Sequence, residues 1–412
     1  KNDAAVDLIT KAIAIKPDWT EAHSNLGLAF KELGKLEKAV ASYHKALIFK
    51  PEYAKAHYNL GNALKGLGKP EEAIASYGKA VAMKPDYPAA HNNLGNALKE
   101  LGKLEEAVAS YRKALDLKPG HAIACYNLGN ALQDIAYERS RSDESECFNA
   151  NEIKTCIGSS KKEELLDEVL TCANQALSIK SNDTSGLALK TAALIGLNKL
   201  DEWAFLCDFD RLIQTQVISV PTGYKDLRNF NDALLQRCTE DKSQTFEPRN
   251  RAIRMGQRID FLHMDPTPGP VSSLLEFVNK AAKRYCDKNL IDPKHPCLAQ
   301  SPSNWKILAW GSILSRQGHH VPHMHSDGWL SGVYYGKLPE VMRTENKKQE
   351  GCIEFGRPEK YIDNQNDPDF RVVCPQEGMM ILFPSYFYHR TIPFNADDTR
   401  FTVSFDIVPL SW

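Results

Sequence analysis

Four histidines and an aspartate fall within residues 319–327, His-His-Val-Pro-His-Met-His-Ser-Asp, just ahead of an apolar and aromatic run at 329–335. His323, His325 and Asp327 stand two residues apart, so on an extended segment their side chains leave the same face. Converging imidazole and carboxylate groups are what a divalent metal takes as ligands. Another histidine, His389, ends the downstream stretch 378–389, which reads as an apolar strand running into a turn. Two ligands from one segment and one from a distant strand make the facial triad of two histidines and a carboxylate, which leaves open positions on Fe(II). The same residues admit a second set, in which His323 takes the place of Asp327. His319 and His320 read as a solvated turn.

Eleven residues beyond His389, the segment 400–407 alternates strictly. Arg400, Thr402 and Ser404 share one face, and Phe401, Val403, Phe405 and Ile407 the other. If the polar face is buried, the guanidinium needs an anionic partner. A carboxylate held by two parallel bonds satisfies it, with Thr402 adding a hydroxyl.

The order His-x-Asp, distant His, then Arg-x-Thr resembles the Fe(II)/2-oxoglutarate-dependent oxygenases. More narrowly, His323-x-His325 followed by Ser331-Gly332-Val333-Tyr334-Tyr335, and Leu382-Phe383-Pro384-Ser385 followed by His389, resemble one subfamily of them. The resemblance covers roughly 208–412 and is strongest from Trp305 onward. It implies a double-stranded β-helix, with iron on His325, Asp327 and His389 and with Arg400 and Thr402 on the distal carboxylate of 2-oxoglutarate. That subfamily often lacks a carboxylate where Asp327 stands, which keeps His323 in view as the alternative ligand. Tyr334 and Tyr335 are candidates to reach the cosubstrate or to fill the core. Arg254, Gly256 and Gln257 occupy a segment that, by the resemblance, borders the pocket. The implied cofactors are Fe(II), 2-oxoglutarate and O₂. One rival is a cupin-type metal site on His323, His325 and His389 that does without 2-oxoglutarate. Against it, no glutamate follows His325 within four residues and Tyr386 stands where the second cupin motif has glycine. Another rival is a repeat adaptor with a degenerate, non-enzymatic barrel.

The elements that would carry such a site begin only after a long repetitive half. Lys-Pro recurs at Pro17, Pro51, Pro85 and Pro119, and Asn-Leu-Gly at Asn25, Asn59, Asn93 and Asn127, each with a period of 34 residues. That period, with Gly27, Ala39, Tyr43 and Ala46 in place, resembles the tetratricopeptide repeat. Glycine and alanine let the two helices of a repeat touch, tyrosine fills the gap between them, and proline ends the second helix. The stack predicts an α-solenoid whose inner wall repeats asparagines (Asn25, Asn59, Asn93, Asn127; then Asn62, Asn96, Asn130) and lysines (Lys31, Lys65, Lys99). An amide column offers donors and acceptors to an extended peptide backbone. It is similar to the asparagine ladder in the repeat superhelix of O-GlcNAc transferase, which implies a protein or peptide partner. Solvated helix caps are the plainer explanation of the same asparagines.

The chain is therefore expected to be multidomain α + β. Repeats occupy 1–137, a polar loop or insertion 138–162, a degenerate repeat with capping helices 163–213, and an oxygenase domain 214–412. Helices are expected at 229–238 and 272–285. Strands are expected at 305–314, 330–337, 352–355, 371–373, 379–383 and 401–408, forming a jelly-roll barrel braced by helices. With 51 Lys+Arg against 52 Asp+Glu there is no global field for nucleic acid or an anionic membrane. No apolar run is long enough for a membrane span. Ten scattered cysteines without a CxxC pair suggest reduced thiols and a cytoplasmic or nuclear setting, Cys147 and Cys156 being the pair most open to bridging. The first residues look trimmed, so targeting signals are expected to be missing. Oligomeric state has no signature in the sequence.

Overall fold

The computed structural model describes residues 2–146, 158–241, 244–246, 252–260, 268–288, 292–342, 348–361 and 368–412. It separates into two compact units, Lys1–Lys180 and Ser181–Trp412.

In the first unit the 34-residue period becomes helix pairs. After α1 (Asn2–Ile15) come α2 (Thr20–Glu32) with α3 (Leu36–Phe49), α4 (Ala54–Gly66) with α5 (Pro70–Met83), and α6 (Pro88–Glu100) with α7 (Leu104–Leu117). A Cβ built on Gly27, Gly61 or Gly95 would lie 2.6 Å from the ring of Tyr43, Tyr77 or Tyr111, so glycine there permits the crossing. Those three rings are fully buried. Gly34, Gly68 and Gly102 end the first helix of each pair at φ of 70°, 71° and 73°, a region that glycine enters without strain. A repeated bond that the sequence pattern did not reveal joins His23, His57 and His91 through Nε2 to the carbonyls of Pro17, Pro51 and Pro85.

The polar stretch after residue 137 is not a loop throughout, because α8 (Ala122–Glu146) carries on through it. Residues 147–157, with Cys147 and Cys156, lie outside the described residues. α9 (Gly158–Ile179) packs along α8 as the second helix of a fourth pair. Glu168 on α9 receives a forked bond from Arg112 on α7, Nη2 lying 2.7 and 2.8 Å from the two carboxylate oxygens.

The helices expected to cap the solenoid after residue 180 belong instead to the second unit. These are α10 (Thr184–Gly196), α11 (Leu200–Leu206) and α12 (Phe209–Leu212). Thr184 donates to the carbonyl of Gly328 (2.9 Å), and the buried Tyr386 hydroxyl donates to the carbonyl of Leu206. Phe209 stands edge-on against Phe387, with ring centroids 5.3 Å apart.

The strands of this unit are β1 (Gln214–Val217), β2 (Thr245–Phe246), β3 (Ile253–Asp260), β4 (Asn304–His320), β5 (Leu330–Lys337), β6 (Ile353–Phe355), β7 (Arg371–Val373), β8 (Met379–Pro384), β9 (His389–Thr391) and β10 (Arg400–Ser411). Seven form an antiparallel sheet in the order β1-β8-β5-β10-β4-β3-β2, and three a smaller one in the order β7-β6-β9. Together they make the curled jelly-roll barrel. β5 is buried along almost its whole length, with the cavity on one side and a helix on the other. Tyr334 on its outer face meets α13 (Leu227–Thr239), and Trp329 just before it stands edge-on to Tyr285 of α14 (Pro270–Lys288). Among the described residues no helix is long and apolar enough to cross a membrane. The expectation of uniformly reduced thiols does not hold, since Cys352 and Cys374 form a disulfide at the edge of the small sheet. The spacing of 22 residues between them carries no motif that would have announced it.

Candidate metal centre

The two sheets are joined by a single pair of residues. His323 and His389 face each other in an isolated antiparallel bridge and exchange both backbone bonds, at 3.1 and 2.9 Å. Directly paired residues present their side chains on one face, and here the rings lie 4.2 Å apart. Two residues on, the amide of His325 bonds the carbonyl of Ser385 (3.0 Å), which brings a third imidazole to the same point. Ligand-capable atoms of His323, His325 and His389 all fall within 4.8 Å of one another.

Each ring is held by its Nδ1. His323 Nδ1 meets the carbonyl of Val321 at 2.8 Å, and His389 Nδ1 that of Phe387 at 3.0 Å. His325 Nδ1 meets a carboxylate, Asp406 Oδ1, at 2.5 Å. With Nδ1 engaged as donor, the Nε2 lone pair of every ring is left for a cation. Burial, reinforced by the neighbouring imidazoles, lowers His323 to about 3 and His389 well below the ordinary 6.5. Both are therefore neutral at physiological pH, as a metal ligand must be.

Asp327 is not brought to this group. The chain bends at Ser326 and Asp327, so the two-residue alternation stops after His325 and the aspartate is exposed at the cavity mouth. Gly328 enforces the bend, for a Cβ there would lie 2.4 Å from Ser385 Oγ. The two-residue spacing that nominated Asp327 assumed an extended chain.

The three histidines open onto a cavity of about 360 Å³ lined also by Trp310, Ser312, Tyr335, Arg400, Thr402 and Asp406. Arg400 is 2% exposed, and its Nε has no hydrogen-bond partner. Its guanidinium lies over the Tyr335 ring at 5.2 Å, and burial lowers its pKa. Thr402 on β10 sits in register between Ser312 on β4 and Tyr335 on β5. The hydroxyls of Ser312 and Tyr335 are likewise buried without partners. Burial raises Tyr335 to about 12, so its proton stays available to donate. A buried cation beside a row of hydroxyls, three of these polar atoms unpaired, is what a bound carboxylate would satisfy.

Tyr334, by contrast, points out of the barrel and donates to Asn231 (2.6 Å), as the alternation of β5 dictates. His320 was read as part of a solvated turn, but β4 runs on to include it. It lines the cavity, its Nδ1 lies 3.2 Å from the Thr391 hydroxyl, and burial holds it well below 6.5. Arg254, Gly256 and Gln257 lie on β3, whose neighbouring Ile253 and Arg258 line the cavity. Asp406 was missed, although it continues the series Arg400, Thr402, Ser404 by the same two-residue step.

In the repeats, Asn25 is exposed and Asn59 buried. Asn93 donates to Asn62 (2.8 Å) and to the Tyr58 hydroxyl (3.2 Å), and Asn127 donates to Asn92 (3.0 Å). Tyr77 and Tyr111 donate to Asn62 and Asn96. Part of each amide's capacity thus ties neighbouring helices together. Lys99 is paired with Asp134 at 3.2 Å. In the first repeat Leu28 occupies the place of Asn62 and Asn96, and the buried hydroxyl of Tyr43 has no partner.

Residues 308–406 match the family model described as "Putative 2OG-Fe(II) oxygenase". Residues 58–122 and 29–68 match two tetratricopeptide repeat models. None of the curated proteins compared with the chain matches it. Among solved structures, the crystal structure of MamA is 22% identical, covering 44% of this chain and 89% of its own at a TM-score of 0.35. YrrB, described as a TPR protein with an unusual peptide-binding site, is 20% identical, with coverages of 48% and 90% and a TM-score of 0.37. The first TPR of Spaghetti (RPAP3), solved with the HSP90 peptide SRMEEVD, is 28% identical, with coverages of 28% and 93% and a TM-score of 0.28.

Proposed function

From a chain that joins tetratricopeptide repeats to a domain of this "Putative 2OG-Fe(II) oxygenase" family, we propose an Fe(II)- and 2-oxoglutarate-dependent dioxygenase that hydroxylates a protein or peptide held by its repeats. The observation that carries this reading is the buried, unpaired guanidinium of Arg400 in the cavity onto which three histidines converge. His323, His325 and His389 would hold the iron, and Asp327 stands outside that set. Arg400 would take the distal carboxylate of 2-oxoglutarate, with Thr402 and the hydroxyls of Ser312 and Tyr335 completing its bonds. With O₂, the bound iron and cosubstrate supply the oxidation, one oxygen atom entering a substrate C–H bond and the other the succinate that forms as CO₂ leaves. The chain contributes ligand geometry, a carboxylate clamp and a largely apolar inner wall, including Phe383 and Ile353, that keeps water from the reacting atoms. The remaining amide valences of Asn25, Asn59, Asn93 and Asn127 would receive an extended peptide backbone. YrrB and the Spaghetti domain are described as peptide-binding tetratricopeptide proteins, in keeping with that class of partner.

Anaerobic addition of Fe(II) and 2-oxoglutarate tests the cosubstrate. A visible metal-to-ligand charge-transfer band is expected, and Arg400→Gln should raise the 2-oxoglutarate concentration needed for it on the order of 10- to 100-fold. A band that ignores Arg400→Gln would sink the clamp. The set of three histidines also suits a cupin-type metal enzyme without 2-oxoglutarate, and that reading prevails if metal binds tightly but no band forms. Peptide-library products gaining one oxygen atom, and dependent on residues 1–137, would tie the repeats to the substrate.

A further inference from the structure

Three neutral imidazoles bring no negative charge to a divalent ion, and the nearby Asp327 faces solvent. A buried carboxylate nevertheless lies one residue further out. Asp406 is 7% exposed, and its Oδ1 takes bonds from His325 Nδ1 at 2.5 Å and from Ser331 Oγ at 2.6 Å. Ser331, its cross-strand neighbour on β5, bonds in turn to Ser385 Oγ at 2.7 Å, and both serines are fully buried. Of the three rings only His325 leans on a charge, since His323 and His389 lean on backbone carbonyls. Asp260, another carboxylate on the cavity wall, is paired with Arg258 at 2.8 Å.

We propose that Asp406 is the carboxylate of this metal centre, acting through His325 rather than on the ion. It is a positioning residue that fixes the ring so that Nε2 faces the cation. Its charge makes His325 the strongest donor of the three and balances part of the ion's charge inside a dry cavity. The Ser331–Ser385 pair holds the carboxylate in place. This inference rests on the assignment of His323, His325 and His389 as ligands.

Co(II) is the probe, titrated into the metal-free full chain without 2-oxoglutarate and followed by calorimetry and by its d–d absorption. Asp406→Asn preserves shape and an acceptor for Nδ1 but removes the charge. Its Co(II) affinity should fall on the order of 10- to 100-fold, and the d–d bands of the loaded protein should shift. A residue that only supported the fold would lower the melting temperature and leave those bands in place. Wild-type affinity and bands in folded Asp406→Asn would overturn the proposal while leaving the three-histidine assignment standing. If the wild-type chain takes up no Co(II), or His325→Ala takes it up unchanged, the ligand assignment fails and the proposal with it. Should Asp406→Asn not fold, Ser331→Ala decides, because it keeps the carboxylate but loosens it. A several-fold loss of affinity with shifted bands supports the role, and unchanged binding overturns it.

Discussion

Tyr43, Tyr77 and Tyr111 occupy the same place in successive repeats and are buried alike, yet their hydroxyls differ in circumstance. Tyr77 and Tyr111 reach asparagine oxygens, whereas Tyr43 faces a position held by Leu28 and stays unpaired. Tyr77→Phe should therefore cost about 0.5–1.5 kcal/mol, while Tyr43→Phe should be neutral or stabilising. Urea unfolding of the two variants side by side checks this, and equal losses would contradict it. Single residues were also where the sequence was read least well. His323, His325, His389, Arg400 and Thr402 were identifiable because their types are rare in apolar strands, and the cavity lies among them. Asp327 was nominated on the assumption that the strand continued, and a bend at Ser326 defeats that assumption. Tyr334 and Tyr335 are adjacent and opposite in direction, so only the strand's register decides which one faces the cavity. Asp406 was available from the parity of β10 and was overlooked because attention stayed on Arg400.

At the scale of the element, the repeats were legible because a 34-residue period imposes both helix length and packing contact. Gly95→Ala isolates that contact. Alanine favours a helix by about 1 kcal/mol over glycine, but its methyl would lie 2.6 Å from the immobile Tyr111 ring. Overpacking of this kind costs about 1–3 kcal/mol, so a net loss is expected in thermal or urea unfolding, and a net gain would show that the helices can part. Barrel strands were placed to within a few residues where they alternate. β9, three residues long, and the His319–His320 end of β4 were not, because pairing rather than local pattern makes them strands. That end of β4 adds His320 to His323 and His389, giving three histidines whose burial holds them below 6.5. As pH falls below about 6.5 the unfolded chain takes up these protons and the folded one does not. Stability of the metal-free protein should then fall with pH, by up to about 1.4 kcal/mol per pH unit per histidine. Melting curves between pH 7 and pH 5, run on wild type and His320→Asn, measure the slope, which the variant should reduce.

At the scale of the molecule, the sequence set the start of the second domain at the change of texture near residue 214, whereas the chain divides between Lys180 and Ser181. Helical periodicity tells where helices are and not which unit buries them. The carbonyl of Leu206 and the ring of Phe209 serve Tyr386 and Phe387, in the turn that presents His389. A fragment 181–412 should fold and take up Co(II), while 214–412 should melt lower or aggregate and bind the ion more weakly. Equal behaviour of the two would place α10–α12 outside the folded unit. The His323–His389 bridge, finally, has a bearing on time rather than affinity. Two of the three imidazoles are hydrogen-bonded to each other through their own backbones, so a complete release of the ion and the opening of that bridge become one local unfolding event. The amide protons of His323 and His389 would then exchange with solvent at a rate that sets the residence time of the metal. A protein loaded with it should give both up together, slowly in the cold and steeply faster with heat.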